Sequence, residues 1–217
     1  MTLSDELERR RAAAAASIAP DDLRTIEDAI EGLRLRQVAE QSLRAGETLP
    51  DFALPDATGR VVTSDGLLDC APLVLAFFRG PWCPYCDATL RALEAARKDI
   101  EGEGGTLVAV SPLRPEVLRQ GARERGLGFT LLSDTDGHLA GLCGVRFEVP
   151  AEHAGFLLRF GVDLACLHAG AGWQLPLPAT YVVDGDATVR YAFADPDWAR
   201  RAEPAEIVAT VRALALP

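Results

Sequence analysis

The chain has 217 residues, of which 48% are hydrophobic, enough for one substantial folded domain with an appendage. Its formal net charge of −10 excludes nucleic acid and anionic membrane surfaces as main partners, because both are themselves negatively charged. No stretch of the sequence has the length of a membrane span. Five cysteines, an odd number without regular spacing, fit a reducing compartment, so we expect a cytoplasmic protein.

Residues 1–45 are predicted to form a helical N-terminal arm. Asp21 and Asp22 provide a helix start, and the helical pattern then continues toward Gly46. Its apolar positions are Leu23, Ile26, Ile30 and Leu33. Such a stripe has to be covered, and we favour packing on the chain's own domain over pairing with a second subunit in a homodimer.

Residues 46–217 are predicted to form a single α/β domain. Strands are expected at 73–78, 106–111 and 129–132, and helices at 87–100, 116–125, 138–142 and 203–214. Alternating strands and helices on this scale indicate a largely parallel sheet. Two further strand-like runs surround Asp184 and Gly185 and predict a β-hairpin. Residues 150–168 form an insertion with helical spacing.

Two cysteines occupy the junction between the most apolar predicted strand and the helix that follows it. Pro84 fits the first helical position, which makes Cys83 the expected N-cap residue. Its sulfur would then face unpaired backbone N–H groups and the positive end of the helix dipole, which favours a pKa below about 8.5. Cys86 lies one turn further on, close enough to form a disulfide with Cys83. The pair can therefore cycle between dithiol and disulfide.

A zinc half-site is the alternative interpretation of this cysteine spacing, but structural zinc requires four ligands. The remaining cysteines, Cys70, Cys143 and Cys166, are scattered singly and are expected to be small buried hydrophobic residues. We therefore favour redox chemistry over metal binding and expect neither a metal nor a cofactor.

Several segments resemble a known family. The order strand, Cys-x-x-Cys, helix, strand, helix, and then Pro178 before a hairpin resembles the thioredoxin fold, in which this proline is cis and faces the active-site sulfurs. Residues 49–56, 77–86, 110–112 and 132–134 resemble the alkyl hydroperoxide reductase and thiol-specific antioxidant superfamily, and in particular its peroxiredoxin-like group with a Cys-x-x-Cys motif. The resemblance implies a central mixed sheet flanked by helices, a peroxidatic Cys83, a resolving Cys86 and a redox disulfide between them.

The sequence departs from the typical peroxiredoxin at two positions. The family has a threonine or serine three residues before the reactive cysteine, where this chain has Gly80. The family also has an arginine at the start of the strand, at the position where this chain has Pro178. Arg79 and Arg146 are the candidate replacements for that cation, although solvated or lid positions are the commoner role of such arginines. Trp82, beside the motif, is expected to form part of an apolar rim around the sulfurs.

The resemblance implies a thiol-dependent peroxidase that reduces hydrogen peroxide or organic hydroperoxides, with thioredoxin, glutaredoxin or glutathione as the reductant. The alternative is a thiol-disulfide oxidoreductase without peroxidase activity. Gly80, Pro178 and the Cys-Pro-Tyr-Cys tetrapeptide, which is identical to that of dithiol glutaredoxins, favour this alternative. A redox sensor, in which disulfide formation changes how the N-terminal arm packs, is a minor third possibility.

Overall fold

The computed structural model describes residues 1–69, 72–169 and 172–215. Its helices are α1 (Leu3–Ser17), α2 (Pro20–Leu35), α3 (Ser64–Leu68), α4 (Pro84–Gly102), α5 (Pro115–Arg125), α6 (His138–Leu142), α7 (Ala151–Arg159), α8 (Leu164–Leu167) and α9 (Pro204–Ala215). Its strands are β1 (Ala53–Pro55), β2 (Val61–Thr63), β3 (Leu73–Phe77), β4 (Thr106–Ser111), β5 (Thr130–Ser133), β6 (Arg146–Glu148), β7 (Gln174–Pro176), β8 (Ala179–Val183) and β9 (Val189–Ala194).

The central sheet has five strands in the order β5-β4-β3-β8-β9. Strands β3, β4 and β5 are parallel, whereas β8 and β9 are antiparallel to their neighbours and form the predicted hairpin. Helices cover both faces, so all five residues of β3 are buried, and this explains why the strand is apolar throughout. The mixed sheet flanked by helices confirms the predicted fold class.

Successive residues of β3 point to opposite faces of the sheet and enter two separate cores. Leu75 belongs to the larger core, which also contains residues of α2, α6 and α7. Val74 belongs to the other core, which is formed with residues of α4, α5 and α9. A strand shared between two cores holds its C-terminal end rigidly, and this end leads directly to Cys83.

The N-terminal arm packs onto its own chain. Helix α1 contacts α4 through Leu3, Leu7 and Ala88, and α2 contacts α7 while placing Leu33 in the larger core. The helical run does not extend to Gly46 as expected. Helix α2 ends at Leu35 because Gln37 adopts a left-handed conformation with φ of 52°, and a short 3-10 turn follows.

The insertion at 150–168 contains α7 and α8, which agrees with its helical spacing. Ala179 at the start of β8 pairs with Phe77 at the end of β3. Pro178 therefore lies at the same edge of the sheet as the Cys83 motif. In the part of the chain that the structure describes, no helix is both long enough and apolar enough to cross a bilayer.

Candidate active site

Cys83 is the N-cap residue of α4 and Pro84 takes the first helical position, as predicted. The Cys83 side chain is buried, with 1% of its surface exposed, and its backbone N–H donates to the Gly80 carbonyl at 3.2 Å. Its sulfur makes no capping hydrogen bond to the helix backbone, contrary to expectation. A side chain supplies the donor instead.

That donor is Arg79, whose Nη2 lies 3.2 Å from the Cys83 Sγ. The guanidinium is itself buried, with its Cζ 4.4 Å from the centre of the Trp198 ring. Burial opposes ionisation of Cys83, but a hydrogen bond from Cys86 and the charges of Arg79 and Arg201 outweigh it and hold the pKa of Cys83 well below its usual value. The site therefore stabilises a Cys83 thiolate.

Cys86 is fully buried and has the opposite protonation preference. Its hydrogen bond to the Cys83 sulfur and its burial raise the pKa of Cys86 well above the ordinary thiol value. Nη2 of Arg201 donates to the Cys86 Sγ at 3.6 Å. The two sulfurs thus form a thiolate and thiol pair, with one guanidinium beside each sulfur.

Gly80 is required by the packing of Trp82. A Cβ atom at position 80 would lie 2.0 Å from the Trp82 ring, which is far inside van der Waals contact. The indole therefore occupies the space where a threonine or serine side chain would begin. Trp82 is half-buried and lines the cavity beside Cys83, which agrees with the expected rim.

The structure does not bring Arg146 to the sulfurs. Its Nη1 donates to the carbonyl of Gly137 at 3.3 Å and, more weakly, to that of Asp136, because the β6 start faces the loop before α6. Pro178 is buried at the start of β8, one residue from the pairing of Ala179 with Phe77, and does not line the cavity at Cys83.

Three residues at the site have no signal in the sequence: Arg201, Trp198 and His153. Arg201 is held by donating to the backbone carbonyls of Trp198 and Arg200, and it lies 115 positions from Cys86 along the chain. His153 is in the insertion and packs against Trp198 with the two rings tilted and 5.2 Å between their centres. Only contacts between distant segments could have revealed these residues.

A cavity of about 720 Å³ opens beside Cys83. Its walls come from α1, α2, α7 and the loop at 197–199, and its inner end contains Cys83, Arg79 and Trp82. The N-terminal arm therefore lines the candidate active site, a position that the sequence did not indicate.

Cys143 and Cys166 take no part in this site. Cys143 is buried as expected, but Cys166 is exposed because it lies on the outer side of the short helix α8, where its thiol is 3.3 Å from Asp163. Cys70 lies outside the described residues. Across 1–69, 72–169 and 172–215, no group of three or more histidine, cysteine or acidic side chains could hold a metal ion.

Comparison with known proteins shows which family the chain is similar to. The sequence model of the AhpC/TSA family matches residues 45–192. Alkyl hydroperoxide reductase E of Mycobacterium tuberculosis is 27% identical over 150 residues, which cover 69% of this chain and 84% of that protein. Peroxiredoxin Bcp of Escherichia coli is 31% identical over 106 residues, or 49% of this chain and 67% of that protein.

Solved structures show the same fold. Peroxidoxin BcpB from Mycobacterium tuberculosis superposes with a TM-score of 0.62 at 24% identity, covering 79% of this chain and 98% of that one. Peroxiredoxin Q from Xanthomonas campestris gives a TM-score of 0.57 at 17% identity, with 76% of this chain and 92% of that one covered. The family match over most of the chain shows that this protein belongs to the AhpC/TSA family and is a peroxiredoxin-type enzyme with a thioredoxin-like fold.

Proposed function

We propose that this protein is a thiol-dependent peroxidase in which Cys83 is the peroxidatic cysteine and Cys86 the resolving one. The observation that carries the proposal is the 3.2 Å hydrogen bond from Arg79 to a buried sulfur at a helix N-terminus. A stabilised thiolate is the form of cysteine that attacks peroxides. Residues 46–217 would form the peroxidase domain, and residues 1–45 an arm that completes its site.

In the first step, the Cys83 thiolate attacks the terminal oxygen of the peroxide. A sulfur–oxygen bond forms as the oxygen–oxygen bond breaks, so Cys83 becomes a sulfenic acid. The other oxygen leaves with the bonding electron pair and takes a proton, giving water or an alcohol. Arg79, beside the sulfur, supplies positive charge where negative charge moves onto the leaving oxygen.

In the second step, Cys86 loses its proton and attacks the Cys83 sulfur, and hydroxide leaves as water. Cys86 holds its proton in the reduced enzyme chiefly through its hydrogen bond to the Cys83 thiolate. Oxidation of Cys83 removes that negative charge, and the nearby Arg201 then favours the Cys86 thiolate. The product is a disulfide between two cysteines one helical turn apart.

Two external thiol groups would restore the pair by exchange, and they would themselves become a disulfide. Thioredoxin, glutaredoxin and glutathione are the candidate reductants, since each supplies thiols for exchange with the disulfide. A cytoplasmic location, supported by the odd number of cysteines, would supply these reductants.

The proposal also includes a homodimer, which light scattering of the purified protein tests.

Stopped-flow kinetics with hydrogen peroxide and cumene hydroperoxide test this function. We expect both to be consumed faster than by a free thiol of matched pKa, with Cys83→Ser abolishing consumption. Cys86→Ser should complete one turnover and stop at the Cys83 sulfenic acid, identified by mass spectrometry after trapping with dimedone. Cys166→Ser, at an exposed cysteine outside the site, serves as the control and should turn over normally.

Peroxide consumption no faster than that of the free thiol would refute the peroxidase. If insulin or a glutathione mixed disulfide were then reduced in a Cys83-dependent way, the protein would be a thiol-disulfide oxidoreductase. If neither reaction occurred, different hydrogen-exchange protection of the arm in the reduced and oxidised protein would support the redox sensor.

A further inference from the structure

His153 is a buried histidine of α7 that lines the cavity beside Cys83, and none of the proposed reaction steps uses it. Only 3% of its surface is exposed, and neither ring nitrogen has a hydrogen-bond partner among the residues that the structure describes. Buried polar atoms without partners are rare in native proteins, because each of them costs free energy. A histidine in this state at a cavity wall therefore suits a ligand that supplies the missing hydrogen bonds.

Two aromatic side chains fix the orientation of the His153 ring. Its plane makes an angle of 22° with that of Phe156, and the ring centres are 5.5 Å apart. Trp198 packs against it at a tilt of 38°, with 5.2 Å between the ring centres. These ring contacts do not satisfy the two nitrogens, which form hydrogen bonds in the plane of the ring. The imidazole is thus held in place without using its hydrogen-bonding atoms.

Trp198 also connects His153 to the groups around the reactive sulfur. The Arg79 guanidinium lies over the Trp198 ring, with Cζ 4.4 Å from the ring centre, and Nη2 of Arg79 is 3.2 Å from the Cys83 Sγ. Burial and the charge of Arg79 lower the pKa of His153 to about 4, so the ring is neutral at pH 7. A neutral imidazole has one nitrogen that donates a hydrogen bond and one that accepts.

Two other side chains at this cavity have unpaired nitrogens, but their chemistry is different. Nε of Arg79 and Nε1 of Trp82 also have no partner in the described part of the chain, and both can only donate. A peroxide has an O–H group that requires an acceptor, and oxygens that require donors. A hydroxyl side chain at position 80 could serve both needs, but the Trp82 ring occupies that space. Of the three unpaired side chains, only His153 both donates and accepts.

We infer that His153 hydrogen-bonds to the peroxide group at Cys83 and orients it for attack, in place of a hydroxyl side chain at position 80. The inference rests on the proposed peroxidase function and adds a residue to it. The bond changes are the same: a sulfur–oxygen bond forms, the oxygen–oxygen bond breaks, and the leaving oxygen keeps the electron pair and takes a proton from solvent. His153 donates a hydrogen bond but not its proton, and it stays neutral throughout. Such a donor stabilises negative charge that develops on the leaving oxygen.

The test compares peroxide reduction with alkylation by iodoacetamide, which reports the Cys83 thiolate without involving a peroxide. Each variant is described by the ratio of the two second-order rate constants at the same pH. His153→Phe keeps an aromatic ring but removes both nitrogens, and it should lower this ratio about ten-fold or more for hydrogen peroxide and for cumene hydroperoxide. His153→Gln keeps a donor and an acceptor and should restore part of the ratio. His168→Phe removes an equally buried imidazole, 3% exposed, that does not line the cavity, and should leave the ratio unchanged.

If His153→Phe does not fold, His153→Leu replaces it, because leucine also lacks hydrogen-bonding atoms, and the same loss is expected. An unchanged ratio, or a His153→Gln variant no better than His153→Phe, would overturn the inference while leaving the peroxidase intact. So would a loss confined to cumene hydroperoxide, which would assign His153 to the organic part of the substrate. Failure of the native protein to reduce either peroxide would refute the proposed function, and the inference with it.

Discussion

At Arg79 one guanidinium lies between a sulfur and an aromatic ring, contacting Cys83 on one side and Trp198 on the other. Burial would lower the pKa of Arg79, but the neighbouring cysteine sulfurs outweigh this and raise it, so the arginine remains charged. A charge buried beside a thiolate is poorly screened by solvent, which makes its effect on the sulfur large. Of the two candidate cations, Arg79 and Arg146, only Arg79 thus lies beside Cys83.

We predict that Arg79→Gln raises the pKa of Cys83 by about one unit or more, because the opposite charge is lost. The Cys83 thiolate is present above its pKa and disappears as pH falls through it. In the native protein, Cys83 should therefore be alkylated rapidly by iodoacetamide even at pH values well below the usual thiol pKa. In Arg79→Gln, the rate of Cys83 alkylation should begin to fall at a higher pH. Arg79→Lys keeps the charge and should restore part of the shift. An identical pH profile for Arg79→Gln would contradict this role.

The structure explains why this chain has Gly80 where the family has a threonine or serine. The family's hydroxyl residue is absent because the Trp82 ring lies where its Cβ would be. The indole and the arginine together close the site around Cys83, so in the proposed reaction the peroxide would be oriented by groups other than a hydroxyl at position 80. The unpaired nitrogens of His153 and Trp82 are available for that contact.

At the scale of elements, one carboxylate binds the N-terminus of α1 to the segment before α9, in addition to the packing of α1 on α4. Glu203, just before α9, accepts hydrogen bonds from the backbone N–H groups of Leu3 at 3.1 Å and Ser4 at 2.7 Å, and from the Ser4 hydroxyl. A negative charge at a helix N-terminus also interacts favourably with the helix dipole. This anchor holds the helix that carries Arg11 and Ala14 over the reactive site.

Glu203→Gln should loosen the first turns of α1 without unfolding the domain. The loss is expected to be about 1 kcal/mol of local opening free energy, because one acceptor oxygen remains while the other and the negative charge are lost. Faster amide hydrogen exchange at residues 3–10 would report it. Glu8→Gln removes an exposed charge from the same helix and is the control. Unchanged exchange in Glu203→Gln would show that the apolar contacts of α1 suffice to hold it.

At the scale of the whole molecule, the arm joins the domain through a close backbone contact at Gly144. This residue has φ of 68°, and a Cβ there would lie 1.9 Å from the Gln41 carbonyl oxygen. Next to it, the Leu43 N–H donates to the Cys143 carbonyl at 3.1 Å. The connector after α2 therefore rests directly on the loop between α6 and β6.

Gly144→Ala should destabilise the protein by more than the cost of a left-handed conformation, which is about 1–2 kcal/mol for a residue with a Cβ. Gly161→Ala is the matched control, because Gly161 also has positive φ, of 76°, but nothing lies within 4 Å of its Cβ position. Urea unfolding of both variants separates conformational strain from the clash with the connector. Equal losses of unfolding free energy would show that the connector moves aside without cost.

The sequence by itself determined the features that depend on near neighbours. The β3 strand, the hairpin at Asp184, the α4 start at Pro84 and the one-turn spacing of Cys83 and Cys86 all follow from local periodicity and turn chemistry. The end of α2 was misplaced because a left-handed Gln37 has no clear sequence signal.

Only the tertiary structure decided what surrounds the sulfurs. It selected Arg79 over Arg146 as the cation at Cys83, brought Arg201 to Cys86 across 115 positions, and placed the arm over the cavity. The physical reason is that the effect of a charge on a thiol depends on their distance and burial. What a cavity can bind depends on the volume that its walls enclose. Both quantities are set by how distant segments pack, which neither residue type nor spacing specifies.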